Sequence, residues 1–348
     1  MSYFRPTIEA MEGYEPGEQP IDPTIVKLNT NENPYPPSPE VVKAVVGIGV
    51  EELRRYPPPL ADRFRLTAAE LFEVRPEQII CGNGMDDILN MTVRAFAGPD
   101  APMAYPVPTY TLYAVLARLQ DAPIHEVPFA PDYALPIDEL IATRARVTYL
   151  ANPNAPSGTL VPVKEVARLA DGLDGVLCVD EAYVDFAECD CLELARSRPN
   201  VLVMRSLSKG YGLAGIRFGF AIGPEQLIAG LMKVKDSYNV DAVALAAASA
   251  ALADRDYYAR MREKVIAERV RLAEALDALG LKCLPSQTNF LLVRCGTPAA
   301  RELYETLKRR RILVRYFDSP GLDDKLRITI GTPRQNDTLM AALRELVQ

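Results

Sequence analysis

The amino-acid sequence predicts an α/β fold: a large unit with a mostly parallel sheet flanked by helices, plus a smaller α+β unit. Three observations lead there. Between about residues 79 and 223, short apolar runs alternate with helix-like segments. Strands buried on both faces and joined by crossovers read this way. Beyond about residue 255 the pattern becomes one long helical period followed by short strands and helices. The length, 348 residues, suits two units better than one core. The expected division is an arm over residues 1–40, a large unit over 41–255 and a small unit over 256–348.

Each element follows from local chemistry. Residues 29–39 carry Pro34, Pro36, Pro37 and Pro39. Proline removes donors and restricts the residue before it, so regular structure is excluded there. The arm is either a disordered tail or a wrap over the rest of the chain. A second cluster, Pro57-Pro58-Pro59, follows Arg54-Arg55-Tyr56. Ile79-Ile80-Cys81 runs into Gly82-Asn83-Gly84 and a helical pattern over 86–96. Further apolar runs over 147–150, 176–179, 201–204 and 218–222 end at Asn152, Asp180, Arg205-Ser206 and Gly223. Ligands of such sheets bind beyond the carboxyl ends of the strands. Residues 242–253, rich in alanine, read as a buried helix. A helix over 259–280 places Met261, Val265, Leu272, Leu276 and Leu279 on one side, with Gly280 closing it. Strands over 290–293, 312–317 and 326–330, a helix over 299–310 and a final helix from about 336 complete the small unit.

Composition narrows the function. With 39 Lys+Arg against 46 Asp+Glu, the net charge is −7, the wrong sign for a general phosphate-backbone binder. The basic run Lys308 to Arg311 reads as a solvated helix end. The longest apolar stretch is too short to span a membrane, and residues 1–10 lack the apolar core of a signal peptide. Six cysteines and one histidine, His125, make neither a disulfide framework nor a zinc site; Cys189 and Cys191 have no second pair at metal spacing. No metal and a cytoplasmic location are expected.

The sharpest segment is Arg205-Ser-Leu-Ser-Lys-Gly-Tyr-Gly-Leu-Ala-Gly-Ile-Arg217. Hydroxyls, glycine amides and a guanidinium bind phosphate dianions, and a lysine beside them can form a Schiff base. The bland reading is a Gly-rich turn with an exposed lysine. Asp180, at the end of an apolar strand, is a turn cap or a counter-ion, with Tyr183 near enough to share its spot. Gly82-Asn-Gly-Met-Asp-Asp87 is an anion-binding helix entry or an ordinary βα turn. Residues 152–158 are turn chemistry whose amide side chains could also face a ligand. Strand alternation puts Arg327 opposite Leu326 and Ile328, facing solvent or lining a cleft that takes a carboxylate.

Together these blocks resemble the fold-type I pyridoxal-phosphate enzymes, and among them the histidinol-phosphate aminotransferase family. The resemblance runs in order through Lys27-Leu-Asn-Thr-Asn-Glu-Asn-Pro34, Arg55-Tyr-Pro57, Gly82 to Asp87, Pro108-Thr-Tyr110, Asn152 to Gly158, Val179-Asp-Glu-Ala-Tyr183, Ser206-Leu-Ser-Lys209 with Arg217, Lys235 to Asn239 and Leu326 to Thr332. It implies that Lys209 holds pyridoxal 5'-phosphate as a Schiff base and shuttles the Cα proton. Asp180 would pair with the pyridine nitrogen, Tyr183 would donate to the phenolic oxygen and Tyr110 would stack on the ring. Ser206, Ser208, Arg217 and the turn Gly84-Met85-Asp86 would hold the phosphate. Tyr56 would reach the phosphate of a second copy, implying a homodimer. Arg327 would take the substrate carboxylate, with Tyr14, Asn31 and Arg315 facing its side chain. One departure stands out. The family usually has Asn before the Pro of the 152–158 loop; here that residue is Ala155, and the neighbouring Asn154 is expected to take its place.

The function so implied is transamination of L-histidinol phosphate with 2-oxoglutarate, which becomes glutamate, in histidine biosynthesis. Two alternatives share the scaffold: an aromatic amino acid aminotransferase and a threonine-phosphate decarboxylase.

Overall fold

The computed structural model describes residues 2–13 and 17–347. The expected sheet is present, with seven strands. In chain order they are β2 (Ile79–Asn83), β3 (Met103–Val107), β4 (Ile124–Pro128), β5 (Val147–Ala151), β6 (Val176–Asp180), β7 (Val201–Ser206) and β8 (Phe218–Ile222). The arm contributes a short β1 (Val26–Lys27). The spatial order is β2-β8-β7-β6-β5-β3-β4, and only β8 runs antiparallel to its neighbours. β5 and β8 are buried at every residue, which is why they read as unbroken apolar runs.

β3 and β4 escape that reading for a physical reason. Pro106 interrupts β3. β4 is the edge strand, exposes His125 and Glu126 and ends on Pro128, which an edge tolerates. The alanine-rich helix Ala242–Ala253 is buried as its composition suggests, packed against the helices Pro39–Val46 and Asp62–Leu71.

The last third forms a second sheet from β9 (Lys282–Cys283), β10 (Phe290–Arg294), β12 (Arg315–Tyr316) and β13 (Lys325–Thr329), in the order β12-β13-β10-β9. The strand expected over 312–317 is split at Val314. Its first half, β11 (Ile312–Leu313), pairs in parallel with β1 of the arm, and its second half, β12, pairs with β13. The long helix spans Arg255–Ala278, starting earlier than expected because Asp254 caps it through Tyr257 N. It buries Val265, Leu272 and Leu276 against this sheet, while Met261, also buried, lies beside Asn33, Pro36 and Tyr211. At about 1.5–3 kcal/mol per buried side chain, that stripe holds the helix in place. Among the described residues, no helix is long and apolar enough to cross a membrane.

The arm is ordered where it matters. Leu28 is buried in the small-sheet core; its N–H donates to Leu313 O, and its carbonyl accepts from Thr329 N. This brings residues 29–33 across the carboxyl ends of β6 and β7.

Candidate active site

Asp180 closes β6, opposite Met204 of β7. Its side chain is buried and accepts from the Tyr113 hydroxyl (2.6 Å) and from Ala182 N (3.0 Å). The turn-cap reading is therefore correct as far as it goes. Burial pushes its carboxyl up to about 6 against those two hydrogen bonds, with the charge of Asp86 adding to the rise. Among the described residues no Lys or Arg forms an ion pair with it. A buried carboxylate with only neutral partners calls for a cation from elsewhere.

The strand after it is braced by charge. Arg205, in β7, bonds Glu181 (2.8 Å) and Asp190 (2.9 Å). Burial pushes the Glu181 carboxyl up to about 7, with Arg205 opposing. This pair ties the end of β6 to the end of β7, directly beside Asp180 and Ser206.

Beyond β7 the chain enters the Lys209 loop. The Lys209 amine lies 5.7 Å from the centre of the Tyr183 ring and 3.4 Å from Thr30 O of the arm. The Lys209–Gly210 backbone is gripped from two sides. Asn33 Nδ2 donates to Lys209 O (2.9 Å) and Gly210 O (3.2 Å), and Gly210 N donates to Asp185 (3.2 Å). Tyr258, on the long helix, donates to the other oxygen of Asp185 (2.7 Å).

The turn Gly84-Met85-Asp86 forms an anion cradle. Gly84 has φ +80°, and a Cβ there would sit 2.6 Å from Arg217 Nη2. Gly219 is equally constrained: its Cβ would lie 2.5 Å from Met85 N. No side chain caps the helix Met85–Phe96, so its first amides face this corner. Arg217 reaches Ser208 Oγ (3.4 Å) and Asp86 (3.2 Å), and Ser206 Oγ accepts from Ser208 N (3.1 Å). Tyr110 donates to Asp86 (3.4 Å) and meets Tyr113 edge-on at 5.7 Å.

On the small-sheet side, Arg315 and Arg327 face each other across β12 and β13. Both guanidiniums stack on Phe317 at 5.3 Å, and Arg327 also stacks on Phe290. Arg327 Nη2 also donates to Asn29 O of the arm (3.2 Å). Asn31 donates to the Tyr183 hydroxyl (2.9 Å).

One expected site residue, Asn154, lies differently. Asn154 is buried, with Nδ2 donating to Pro108 O (3.1 Å) and Ser157 Oγ (2.9 Å) while Oδ1 accepts from Thr109 (2.9 Å). Both amide protons expected to reach the phenolic oxygen are thus engaged within the protein. Tyr56 is 79% exposed and stacks on Tyr238 at 4.4 Å. Tyr14 lies outside the described residues. Sequence reasoning missed Tyr113, Asn33 and Asp185. Tyr113 was within reach, since it lies only three residues beyond Tyr110, in the first turn of the helix Leu112–Leu119.

Comparison with known proteins decides the family. The model of aminotransferase class I and II matches residues 23–343. A histidinol-phosphate aminotransferase 1 of Nostoc is 50% identical over 348 residues, covering 100% of this chain and 99% of the relative. The chain belongs to the histidinol-phosphate aminotransferase family. Among solved structures, this aminotransferase is similar to a histidinol-phosphate aminotransferase of Sinorhizobium meliloti in complex with pyridoxal-5'-phosphate. That match has a TM-score of 0.91 and 29% identity, covering 100% of this chain and 98% of that one. It is also similar to an L-threonine-O-3-phosphate decarboxylase of Porphyromonas gingivalis, with a TM-score of 0.82 and 26% identity over 92% of this chain and 99% of that one.

The residues present fit the cofactor of this family. The uncapped helix entry with Ser206, Ser208 and Arg217 suits a phosphate, Asp180 suits a ring cation, and Lys209 supplies an amine beside the Tyr183 ring.

Proposed function

We propose that this aminotransferase moves an amino group between L-histidinol phosphate and 2-oxoglutarate, as a step of histidine biosynthesis. When bound, pyridoxal phosphate supplies an electron sink for the pair released at the substrate Cα. The chain's own residues do the rest. Lys209 Nζ holds the cofactor covalently and carries the Cα proton. Asp180 would keep the ring nitrogen protonated, Tyr110 would stack on the ring and Tyr183 would donate to its phenolic oxygen. Ser206, Ser208, Arg217 and the amides of Met85 and Asp86 hold the phosphate, with Gly84 leaving them room.

The observation carrying the substrate reading is the opposed pair Arg315 and Arg327. Histidinol phosphate presents a phosphate where an amino acid presents its carboxylate, and glutamate must use the same cleft. Two forked cations serve both anions. Asn31, buried and bonded to Tyr183 and Thr329, serves the site through those partners rather than by facing the substrate side chain. The exposed Tyr56, beside exposed Val42, Val46, Val50 and Leu53, supports a homodimer in which Tyr56 serves the other copy's phosphate site. A cytoplasmic setting and the division at residues 40 and 255 complete the reading.

Purified enzyme given histidinol phosphate and 2-oxoglutarate should form glutamate. Silence on that pair with brisk transfer from phenylalanine would assign an aromatic aminotransferase. Carbon dioxide release from threonine phosphate would assign a decarboxylase.

A further inference from the structure

We propose that Asn31 is a positioning residue that fixes the direction of the Tyr183 hydroxyl, making it a dedicated donor to the cofactor's phenolic oxygen. The proposal rests on the reading of Tyr183 given above. A phenol has one proton to give. Asn31 Nδ2 lies 2.9 Å from the Tyr183 oxygen and donates to it, so the tyrosine's own proton points elsewhere. The Lys209 amine lies 5.7 Å from the centre of the same ring.

Asn31 is itself held from every side. It is buried, with φ +56°, a left-handed conformation open to Asn, Asp and Gly. Its N–H donates to Thr329 Oγ1 (3.0 Å), which leaves that hydroxyl's proton for Asn31 Oδ1 (3.1 Å). Its carbonyl accepts from Asn289 Nδ2 (3.0 Å). Thr329 and Asn289 are buried as well. With Oδ1 engaged on Thr329, the amide end of Asn31 faces Tyr183.

The surroundings give this contact weight. Ala155 offers no side-chain donor, and both amide protons of Asn154 are engaged by Pro108 and Ser157. Tyr183 is then the side chain left to donate to the phenolic oxygen. Its orientation is set by the arm together with the small sheet.

The test is a visible-light pH titration of the cofactor bound to purified holoenzyme. A donor on the phenolic oxygen draws electrons from the nitrogen beside it and lowers the pH at which the colour changes. Tyr183→Phe should therefore raise the midpoint by about one pH unit, the scale of one charge-assisted hydrogen bond. Asn31→Asp keeps the shape and the backbone conformation, but its carboxylate captures the tyrosine proton. It should raise the midpoint as Tyr183→Phe does. Asn31→Gly, which adds no charge and also tolerates positive φ, should raise it by a smaller amount. In the Tyr183→Phe background Asn31→Gly should add no further shift, and Asn31→Asp only the smaller rise that its own negative charge causes.

Midpoints like wild type in both Asn31 variants would overturn the proposal. So would shifts that persist undiminished without the tyrosine hydroxyl, or a Tyr183→Phe variant that titrates like wild type. A wild-type protein that takes up no pyridoxal phosphate would overturn the proposed function instead.

Discussion

Asp180→Asn should make the cofactor-free protein more stable at alkaline pH while weakening its hold on pyridoxal phosphate. Burial raises the Asp180 carboxyl from an ordinary 3.8 to about 6. A group whose folded pKa lies above its unfolded value favours the fold while protonated. That stability is complete below about pH 4 and is lost as pH rises through 6. At about 1.4 kcal/mol per unit, ionised Asp180 costs the cofactor-free protein on the order of 3 kcal/mol at pH 8. Asparagine removes the charge. It has one acceptor oxygen for two donors, Tyr113 OH and Ala182 N, and the lost hydrogen bond returns about 1–2 kcal/mol. The net expectation is a gain of about 1–2 kcal/mol for the variant at pH 8, shrinking to about zero at pH 5, where roughly half of the wild type's penalty still applies. Denaturant melts of cofactor-free wild type and variant at the two pH values measure it. Cofactor affinity should move the other way, falling at pH 8 by about 10²-fold or more when the ring cation loses its partner. In the wild type, affinity should decline as pH falls below 6. A variant less stable than wild type by the same amount at both pH values would refute the claim that this carboxylate is strained by burial and waits for a cation.

Other perturbations follow from the same geometry. Gly84→Ala puts a Cβ 2.6 Å from Arg217 at φ +80°, so it should cost about 1–3 kcal/mol of strain and weaken pyridoxal phosphate binding at least tenfold, read by cofactor titration. Arg205→Gln leaves the buried Glu181 without its cation and should lower stability by about 3–5 kcal/mol in denaturant melts, far more than loss of an exposed pair. Arg327→Lys keeps charge but loses the fork and the stacking on Phe290 and Phe317. It should raise KM for glutamate and for histidinol phosphate together, by about 10-fold to 100-fold.

The strands that line the site were legible because burial on both faces leaves only apolar residues to see. β5 through β8 each show it, and the chemistry-bearing residues stand at their ends. β3 and β4 were hidden by Pro106 and by exposure at the sheet edge. The strand over 312–317 looked continuous because periodicity cannot reveal that the arm claims one half and β13 the other. Within the site, Lys209, Asp180 and Arg217 stood out by residue type and place. The bond between Asn31 and Tyr183 joins residues 152 apart and has no local trace. The engagement of Asn154 by Pro108 O was equally hidden, since it depends on how two distant loops close together.

The account turns on Lys209 as the covalent anchor beside Asp180. Reducing the yellow holoenzyme with borohydride and mapping its peptides by mass spectrometry tests this most directly. The pyridoxyl group should be found on the Lys209 peptide, with the adduct lost in Lys209→Ala. A stable adduct on Lys235 or Lys27 instead, or a protein that stays colourless and unlabelled with excess pyridoxal phosphate, would contradict it.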